Sequence, residues 1–193
     1  QQTLAHLAAQ EVDDELLWEL IIVDNNCTDD TVQFAQTQWA NLAVYTPLKI
    51  VEEPKAGLSY ARERGAATAS YDIILFCDDD NWLNENYIQQ AYERMCEHPH
   101  TGVLGGEGVA FVDVPKPAWF DSYENVFAVG RQLKKSGLAN KRKYLFGAGM
   151  VIRKSFFEKI EEVNHTLFLT CRKGNELSSG GHSDTCLLAL QLG

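Results

Sequence analysis

An apolar run of strand length, Ile73-Ile74-Leu75-Phe76-Cys77, stops at three consecutive carboxylates, Asp78, Asp79 and Asp80. Carboxylates about 4 Å apart repel by roughly 4 kcal/mol per pair at an effective dielectric of ~20. A folded chain therefore either fans such acids into water or gives them a cation to hold. Solvated turns and helix N-termini also carry acid triplets. Position separates the two cases. In open α/β sheets ligands sit outside the carboxyl ends of the strands, and this triplet closes a strand.

The flanking sequence alternates between strand and helix patterns. Leu4, Leu7 and Ala8 recur at helical spacing and predict an opening helix before Asp13-Asp14. Leu20-Ile21-Ile22-Val23 reads as a strand, followed by the polar loop Asp24-Asn25-Asn26-Cys27-Thr28. Thr28 is placed to cap a helix through Ala40, with Asp29 and Asp30 in its first turn. Lys49-Ile50-Val51-Glu52 reads as a second strand, Pro54-Lys55-Ala56-Gly57 as a turn, and Ser59 as the cap of a helix to Ser70. Beyond the central strand a helix is expected from Asn84 to Glu97. Extended chain then runs from Gly102 to Phe111, where Gly105-Gly106 and Gly108 suggest a bulge or a close backbone approach. Pro115, Pro117 and Trp119 mark an irregular connection before a short helix. Leu145 to Ile152 reads as a glycine-interrupted strand, followed by a helix from Ser155, a polar loop over Arg172 to Gly181 and a helix over Ser183 to Leu192.

Strands that alternate with helices imply a mostly parallel, helix-flanked sheet in an α/β domain. Right-handed crossovers then put the C-terminal strand ends on one rim. Asp24-Asn25-Asn26, Lys55-Ala56-Gly57 and Asp78-Asp79-Asp80 converge there. The chain of 193 residues, 45% hydrophobic and 23% charged, suits one globular domain over 1–193. With Gln at position 1 and Gly193 directly after an apolar helical pattern, the expectation is a domain cut at both ends.

A formal net charge of −10 and a pI near 4.9 exclude a nucleic-acid backbone as the main partner, because such binders present basic surface. The local basic clusters Lys134-Lys135 and Lys141-Arg142-Lys143 read as a solvated loop. They leave room for a phosphate-rich substrate or peripheral contact with an anionic membrane surface. Cys27, Cys77, Cys96, Cys171 and Cys186 are odd in number and contain no CxxC pair, which is neither a disulfide framework nor a zinc site. A reducing location fits, in the cytoplasm or at the inner face of the membrane.

Five segments in order resemble family 2 glycosyltransferases, whose nucleotide-sugar-binding half has the GT-A fold. They are Glu19 to Asp29, Gly57-Leu58-Ser59-Tyr60-Ala61-Arg62, Ile74 to Asp80, Leu145-Phe146-Gly147-Ala148-Gly149 and Gly180-Gly181-His182-Ser183-Asp184-Thr185. The resemblance spans roughly residues 15 to 193. The family's first strand, which packs on the nucleotide base, is not matched, so an open base pocket is expected.

The resemblance implies an inverting transfer from a nucleotide-diphosphate sugar, UDP-sugars being favoured, to a glycan or lipid-linked acceptor in polysaccharide biosynthesis. It places Asp24 at the base and Asn26, Lys55, Gly57 and Arg62 around the donor. Asp78 and Asp80 match the ends of the family's acid–any–acid (DXD) motif. Asp80 is then the direct ligand of a divalent metal, Mn²⁺ or Mg²⁺, with Asp78 nearer the ribose and Asp79 assisting either. Such a cation would neutralise the departing diphosphate. Asp24 could instead merely cap the following turn, and Arg62 could be an ordinary surface residue of its helix.

The general base of the family is usually the Asp of a Glu-Asp pair. Here that pair falls on Gly181-His182, and the nearest carboxylate is Asp184. Asp184 is favoured as the base, with His182 as the alternative base or a metal ligand. Trp119 could stack on a sugar or anchor local packing, and Gly147 and Gly149 could admit an acceptor to the backbone. Two other functions stay open: a nucleotidyltransferase on a similar sheet, and a non-catalytic nucleotide- or carbohydrate-binding domain.

Overall fold

The computed structural model describes residues 1–139, 142, 144–162 and 181–192, the side chains at 160–162, 181, 182, 184 and 192 excepted. The opening helix α1 is Gln2–Ala8. Strand β1, Leu20–Asp24, leads through α2, Thr31–Asn41, to β2, Leu48–Glu52. Helix α3, Leu58–Thr68, returns the chain to β3, Ile73–Leu75, and α4 is Tyr87–Glu97. Strand β4 is Val103–Leu104, α5 is Phe120–Tyr123 with a 3₁₀ turn Glu124–Phe127 after it, and β5 is Val151–Arg153. Helices α6, Lys154–Glu162, and α7, Gly181–Leu192, close the described chain.

β1 and β2 pair in parallel, Leu20 opposite Leu48 through Asp24 opposite Glu52. β3 and β4 both pair antiparallel with β5, in the order β3-β5-β4. The architecture is thus mixed α/β as expected, with its parallel ladder in the βαβ unit β1-α2-β2. Sheet direction follows from contacts at the two ends. Before β1 and early in β2, Glu19 and Lys49 form an ion pair at 2.6 Å. Glu19 accepts from the Ser70 N–H and Lys49 donates to the Ser70 hydroxyl, both at 2.7 Å, just ahead of β3. The starts of β1, β2 and β3 therefore lie together, so their C-terminal ends share the opposite rim.

The core is built by packing across these layers. Met150, Ile152, Phe156, Cys186 and Leu188 join β5, α6 and α7, with Phe76 against them. Ala91, Met95 and Val151 seal α4 onto β5, and Leu7, Trp39 and Leu83 bind α1 to α2. Met95, Met150, Val151 and Ile152 have no exposed surface at all.

Several element boundaries differ from the sequence expectation. α2 starts at Thr31 and not near Thr28, because the Asp29 carboxylate accepts the Thr31 N–H at 3.1 Å. α3 starts at Leu58 with Gly57 as its N-cap, so Ser59 is a buried residue of the first turn and not the cap. α4 starts at Tyr87, three residues after Asn84. Two long strand expectations shrink. Over Gly102 to Phe111 only β4 and a Gly108–Gly130 bridge form, and over Leu145 to Ile152 the strand begins at Val151. The expected loop at 172–181 and Cys171 lie outside the described residues, the helix start at Gly181 apart. Cys27, Cys77, Cys96 and Cys186 are free thiols.

The glycines explain the second shortening. Tyr87 donates its hydroxyl proton to the Gly149 carbonyl at 2.6 Å. A Cβ on Gly149, whose φ is +68°, would meet that hydroxyl at 2.9 Å, and a Cβ on Gly106 would meet it at 2.6 Å. Tyr87 therefore fills the room the two glycines leave, and the space at Gly149 is a packing site and not an open approach for an acceptor. Burial, and then the Cys77 thiol, push the Tyr87 hydroxyl up to about 12. A Gly149→Ala substitution adds left-handed strain and overpacking, each ~1–2 kcal/mol. Urea denaturation should show that loss, whereas Gly102→Ala, with nothing within 4 Å of the new Cβ, should be nearly neutral.

Candidate functional site

The rim is assembled by one asparagine. Asn25, directly after β1, donates from Nδ2 to the carbonyls of Glu53 at 2.9 Å and Lys55 at 2.6 Å. Its Oδ1 accepts the Gly57 N–H at 2.8 Å. Three bonds from one side chain lash the loop after β2 to the end of β1 and deliver the start of α3 to the rim. Gly57, φ +150°, occupies a backbone region that other residues rarely adopt. Sequence reading grouped Asn25 with the loop but missed this role; an Asn immediately after an apolar strand is the signal that could have found it.

Asp24 holds its own turn. Its Oδ1 accepts the Cys27 N–H at 2.9 Å, and a hydrogen bond to the carboxylate, with burial next, pushes the Cys27 thiol up. Asn26 sits beside it, exposed and in the left-handed region at φ +68°. Lys55 is exposed and lays its ammonium 5.5 Å from the Tyr60 ring centre.

Arg62 lies one turn into α3 and is not an ordinary surface residue. Its side chain is only 12% exposed, stacks 5.3 Å from the Phe76 ring centre, and places Nη2 3.6 Å from Asp78 Oδ1. Asp78 is 38% exposed. The acid cluster thus has one guanidinium against three carboxylates and keeps an excess of negative charge at the rim.

The turn carrying those acids is fixed through its backbone. The Asn81 N–H donates to the Asp78 carbonyl at 3.1 Å, and Thr3 of α1 donates its hydroxyl to the Asp79 carbonyl at 2.5 Å. Asn81 Nδ2 donates to Asp80 Oδ1 at 3.2 Å, and Asn81 Oδ1 is buried with no hydrogen-bond partner among the described residues. Asp79 and Asp80 are exposed. Among the described residues no three His, Cys, Asp or Glu side chains gather as a ready-made metal cage. The donors present are oxygens, the set a hard divalent cation takes, and Mg²⁺-type sites commonly use one or two carboxylates with phosphate oxygens completing the shell.

Cys77, beneath the turn, directs its thiol toward the carbonyls of Asp78 and Asn81 at 3.5 and 3.7 Å. Burial first, then the charges of Asp78, Asp80 and Asp79, push it from 9.0 up to about 12.

α7 reaches the same place. Thr185 lines a small cleft with Ser59, Arg62, Phe76 and Met150, and Cys186 accepts the Leu145 N–H at 3.4 Å. His182 and Asp184 belong to the first turn of this helix; their side chains lie outside the described residues. Trp119 instead packs within its own segment, 6.1 to 6.4 Å from the rings of Phe120, Tyr123 and Phe127. Arg142 is no solvated loop residue: it donates to the Gln132 carbonyl at 2.8 Å and lies over the Tyr144 and Phe146 rings. Glu107 pairs with Arg131 at 3.3 Å.

A parallel β1-β2 pair and an antiparallel β3-β5-β4 sheet, with helices around them and a polar rim of strand-end loops, belong to a nucleotide-diphospho-sugar transferase fold of the GT-A type. The sequence profile of Glycosyl transferase family 2 matches residues 1–161, and the chain belongs to that family. Glycosyltransferase GlyA of Streptococcus pneumoniae serotype 4 (strain ATCC BAA-334 / TIGR4) is 23% identical over 118 residues, 56% of this chain and 16% of that protein. The crystal structure of S. aureus TarS 1-349 superposes with a TM-score of 0.63 at 21% identity, covering 97% of this chain and 50% of that one. The same protein in complex with UDP gives 0.61 at 20% identity, covering 98% and 49%. The chain therefore spans about half the length of these solved chains and a smaller share of the curated relative. Among the described residues no helix is long and apolar enough to cross a membrane.

Two outcomes check this geometry. Asn25→Ala removes three hydrogen bonds and should cost about 2 kcal/mol in urea unfolding, with faster amide exchange at Lys55 to Gly57. The Cys77 thiol has a folded pKa above its unfolded value, so the native state holds that proton longer. Its contribution is whole below about pH 9 and is lost as pH rises toward 12. Stability should fall by roughly 1 kcal/mol per pH unit above 9, and Cys77→Ala should flatten that slope.

Proposed function

We propose that the chain is the donor-binding part of an enzyme that transfers a sugar, with inversion, from a nucleoside-diphosphate donor to a hydroxyl of a glycan or lipid-linked acceptor. The observation that carries this reading is the convergence made by Asn25 and Arg62: loops after three strands meet on one rim, with a buried cation touching an acid cluster. UDP is the favoured nucleotide, since the similar TarS fold was solved with it.

In this reading Asp24 faces the base and Asn26, Lys55 and Gly57 line the donor. Asp79 supports the ribose side with Asp78. Arg62 sets positive charge beside the diphosphate and orients Asp78. Asp80, with Asp78, would hold Mn²⁺ or Mg²⁺, and the unpartnered Asn81 Oδ1 adds a further oxygen in the same turn. A divalent ion there supplies charge neutralisation for a departing diphosphate. Asp184 takes the proton from the acceptor hydroxyl as it attacks; His182 is the alternative for that role. The closeness of Thr185 to Arg62 supports a base at the start of α7.

Thermal-shift titration with UDP, with and without Mn²⁺, tests the reading. UDP should stabilise the chain and Mn²⁺ should add to the shift, and Asp80→Ala should abolish the metal-dependent part. A full metal response in that variant would overturn the ligand assignment. With a panel of UDP-sugars, Asp184→Asn should lower UDP release by ~10²–10⁴-fold while leaving UDP binding intact. A matching loss in His182→Gln alone would move the base to the imidazole, and release of pyrophosphate in place of UDP would indicate nucleotidyl transfer.

A further inference from the structure

The hydrogen bond from the Asn81 N–H to the Asp78 carbonyl closes a four-residue β-turn, with Asp79 and Asp80 at its centre. The Asp79 carbonyl belongs to the peptide between those two. Among the described residues its donor is the buried Thr3 hydroxyl of α1, at 2.5 Å. Thr3, His6 and Gln10 recur at helical spacing along α1 and its exit, and they follow the chain from the acid turn into α4. His6 lies flat on Trp82, ring centres 5.5 Å and planes 7° apart, with Nδ1 3.2 Å from the Leu83 carbonyl. Gln10 donates to the Asn84 carbonyl at 2.8 Å and accepts the Ile88 N–H at 3.0 Å. Leu7, between them, is buried with Leu83. The helix is therefore anchored independently of the turn, and the Thr3 hydroxyl has a fixed place.

The central peptide of a β-turn has two orientations, related by rotation about the line joining its flanking Cα atoms. In a type II turn the third residue takes a φ of about +80°; in a type I turn its φ is negative. Asp80 is the third residue here, and it is not among the residues of positive φ. Aspartate is one of the few non-glycine residues that enter the left-handed region readily, so its own backbone is a weak barrier to the flip. The Thr3 hydroxyl distinguishes the two states. The C=O and N–H of a trans peptide point in opposite directions. After a flip the hydroxyl proton would meet the Asp80 N–H, itself a donor, in place of its acceptor.

We propose that Thr3 is a positioning residue, whose hydroxyl holds the Asp79–Asp80 peptide in the orientation that aims the Asp80 carboxylate at a divalent cation. This rests on the donor-site reading above. A flip re-aims the Cα–Cβ bond of Asp80 and reverses a peptide dipole beside its carboxylate. Divalent cations such as Mg²⁺ demand near-ideal ligand geometry, so both changes act on affinity. The same turn sets Asn81 against that carboxylate, with its buried Oδ1 unpartnered among the described residues.

Thr3→Val and Thr3→Ala remove the hydroxyl, the first at nearly constant volume, and Thr3→Ser keeps it. Without ligand, the NMR cross-peak between the Asp79 Hα and the Asp80 amide proton reads the peptide orientation, because those protons come close in the flipped turn. The cross-peak should be weak in the unaltered chain and in Thr3→Ser, and strong in Thr3→Val or Thr3→Ala. With ligand, the probe is UDP titrated with and without Mn²⁺. The gain in UDP affinity conferred by Mn²⁺ should fall about tenfold or more when the hydroxyl is lost, and Thr3→Ser should restore it. Gln10→Ala, which cuts two bonds of the same helix beyond the turn, should lower Tm and leave the Mn²⁺ gain intact. A strong cross-peak in the unaltered chain, or a weak one in both variants lacking the hydroxyl, overturns the proposal. An equal loss of the Mn²⁺ gain in Gln10→Ala does so too, since α1 would then be a general scaffold. If the unaltered chain gains nothing from Mn²⁺, the metal reading falls and this inference with it. If its gain persists without the Thr3 hydroxyl, this inference falls alone.

Discussion

Parallel pairing of β1 with β2 is the constraint from which the site follows. A parallel partner cannot be reached by a hairpin; it needs a crossover, supplied here by α2, and the crossover carries the loops after β1 and β2 to the same end. Once the ends share a rim, a side chain as short as Asn25 can reach the next loop, and Arg62 can reach the acids after β3. Polar residues from widely separated stretches of sequence meet without long-range design of each contact.

The rim balances opposing costs. Arg62 is largely withdrawn from water, which is unfavourable for a guanidinium, and the Phe76 face and Asp78 carboxylate offset that cost. Asp79 and Asp80 stay exposed, where hydration screens their repulsion. The result is a surface of negative charge with a fixed positive backstop. Such a surface repels a bare anion.

Much of this was legible in the sequence. The runs Leu20 to Val23 and Lys49 to Glu52 have strand length and β-branched content, and the polar loops behind them announced the rim. Helix starts were less legible, because the cap positions fell elsewhere: Asp30 stands at the start of α2 in place of Thr28, behind an Asp29 carboxylate that holds the Thr31 N–H, and Gly57 stands at the start of α3 in place of Ser59. The glycine-rich strands misled for a different reason. Gly106 and Gly149 are spaced as strand residues, but the demand that shaped them comes from Tyr87, far away in sequence. A three-dimensional neighbour of that kind leaves no periodicity to read. Asn25 was hidden in plain view, since its partners are main-chain groups whose identity no side chain advertises. The chemistry assigned to His182 and Asp184 belongs to α7, whose backbone is placed beside Arg62 but whose register was read from resemblance.

The Tyr87 hydroxyl, seated against Gly106 and Gly149, ties the start of α4 to the two chain segments that flank the β4–β5 ladder. In evolutionary currency these positions form a lock with three tumblers. A phenylalanine at 87 would remove the nearest contact at both glycines, yet a ring carbon would still stand 2.9 Å from a Cβ on Gly106 and the φ of +68° would still favour glycine at 149, so a side chain at either position demands a smaller ring or none at 87. Related sequences should therefore keep the trio whole or exchange it as a set, and a lineage caught with one member altered marks the moment at which this corner of the fold was being rebuilt.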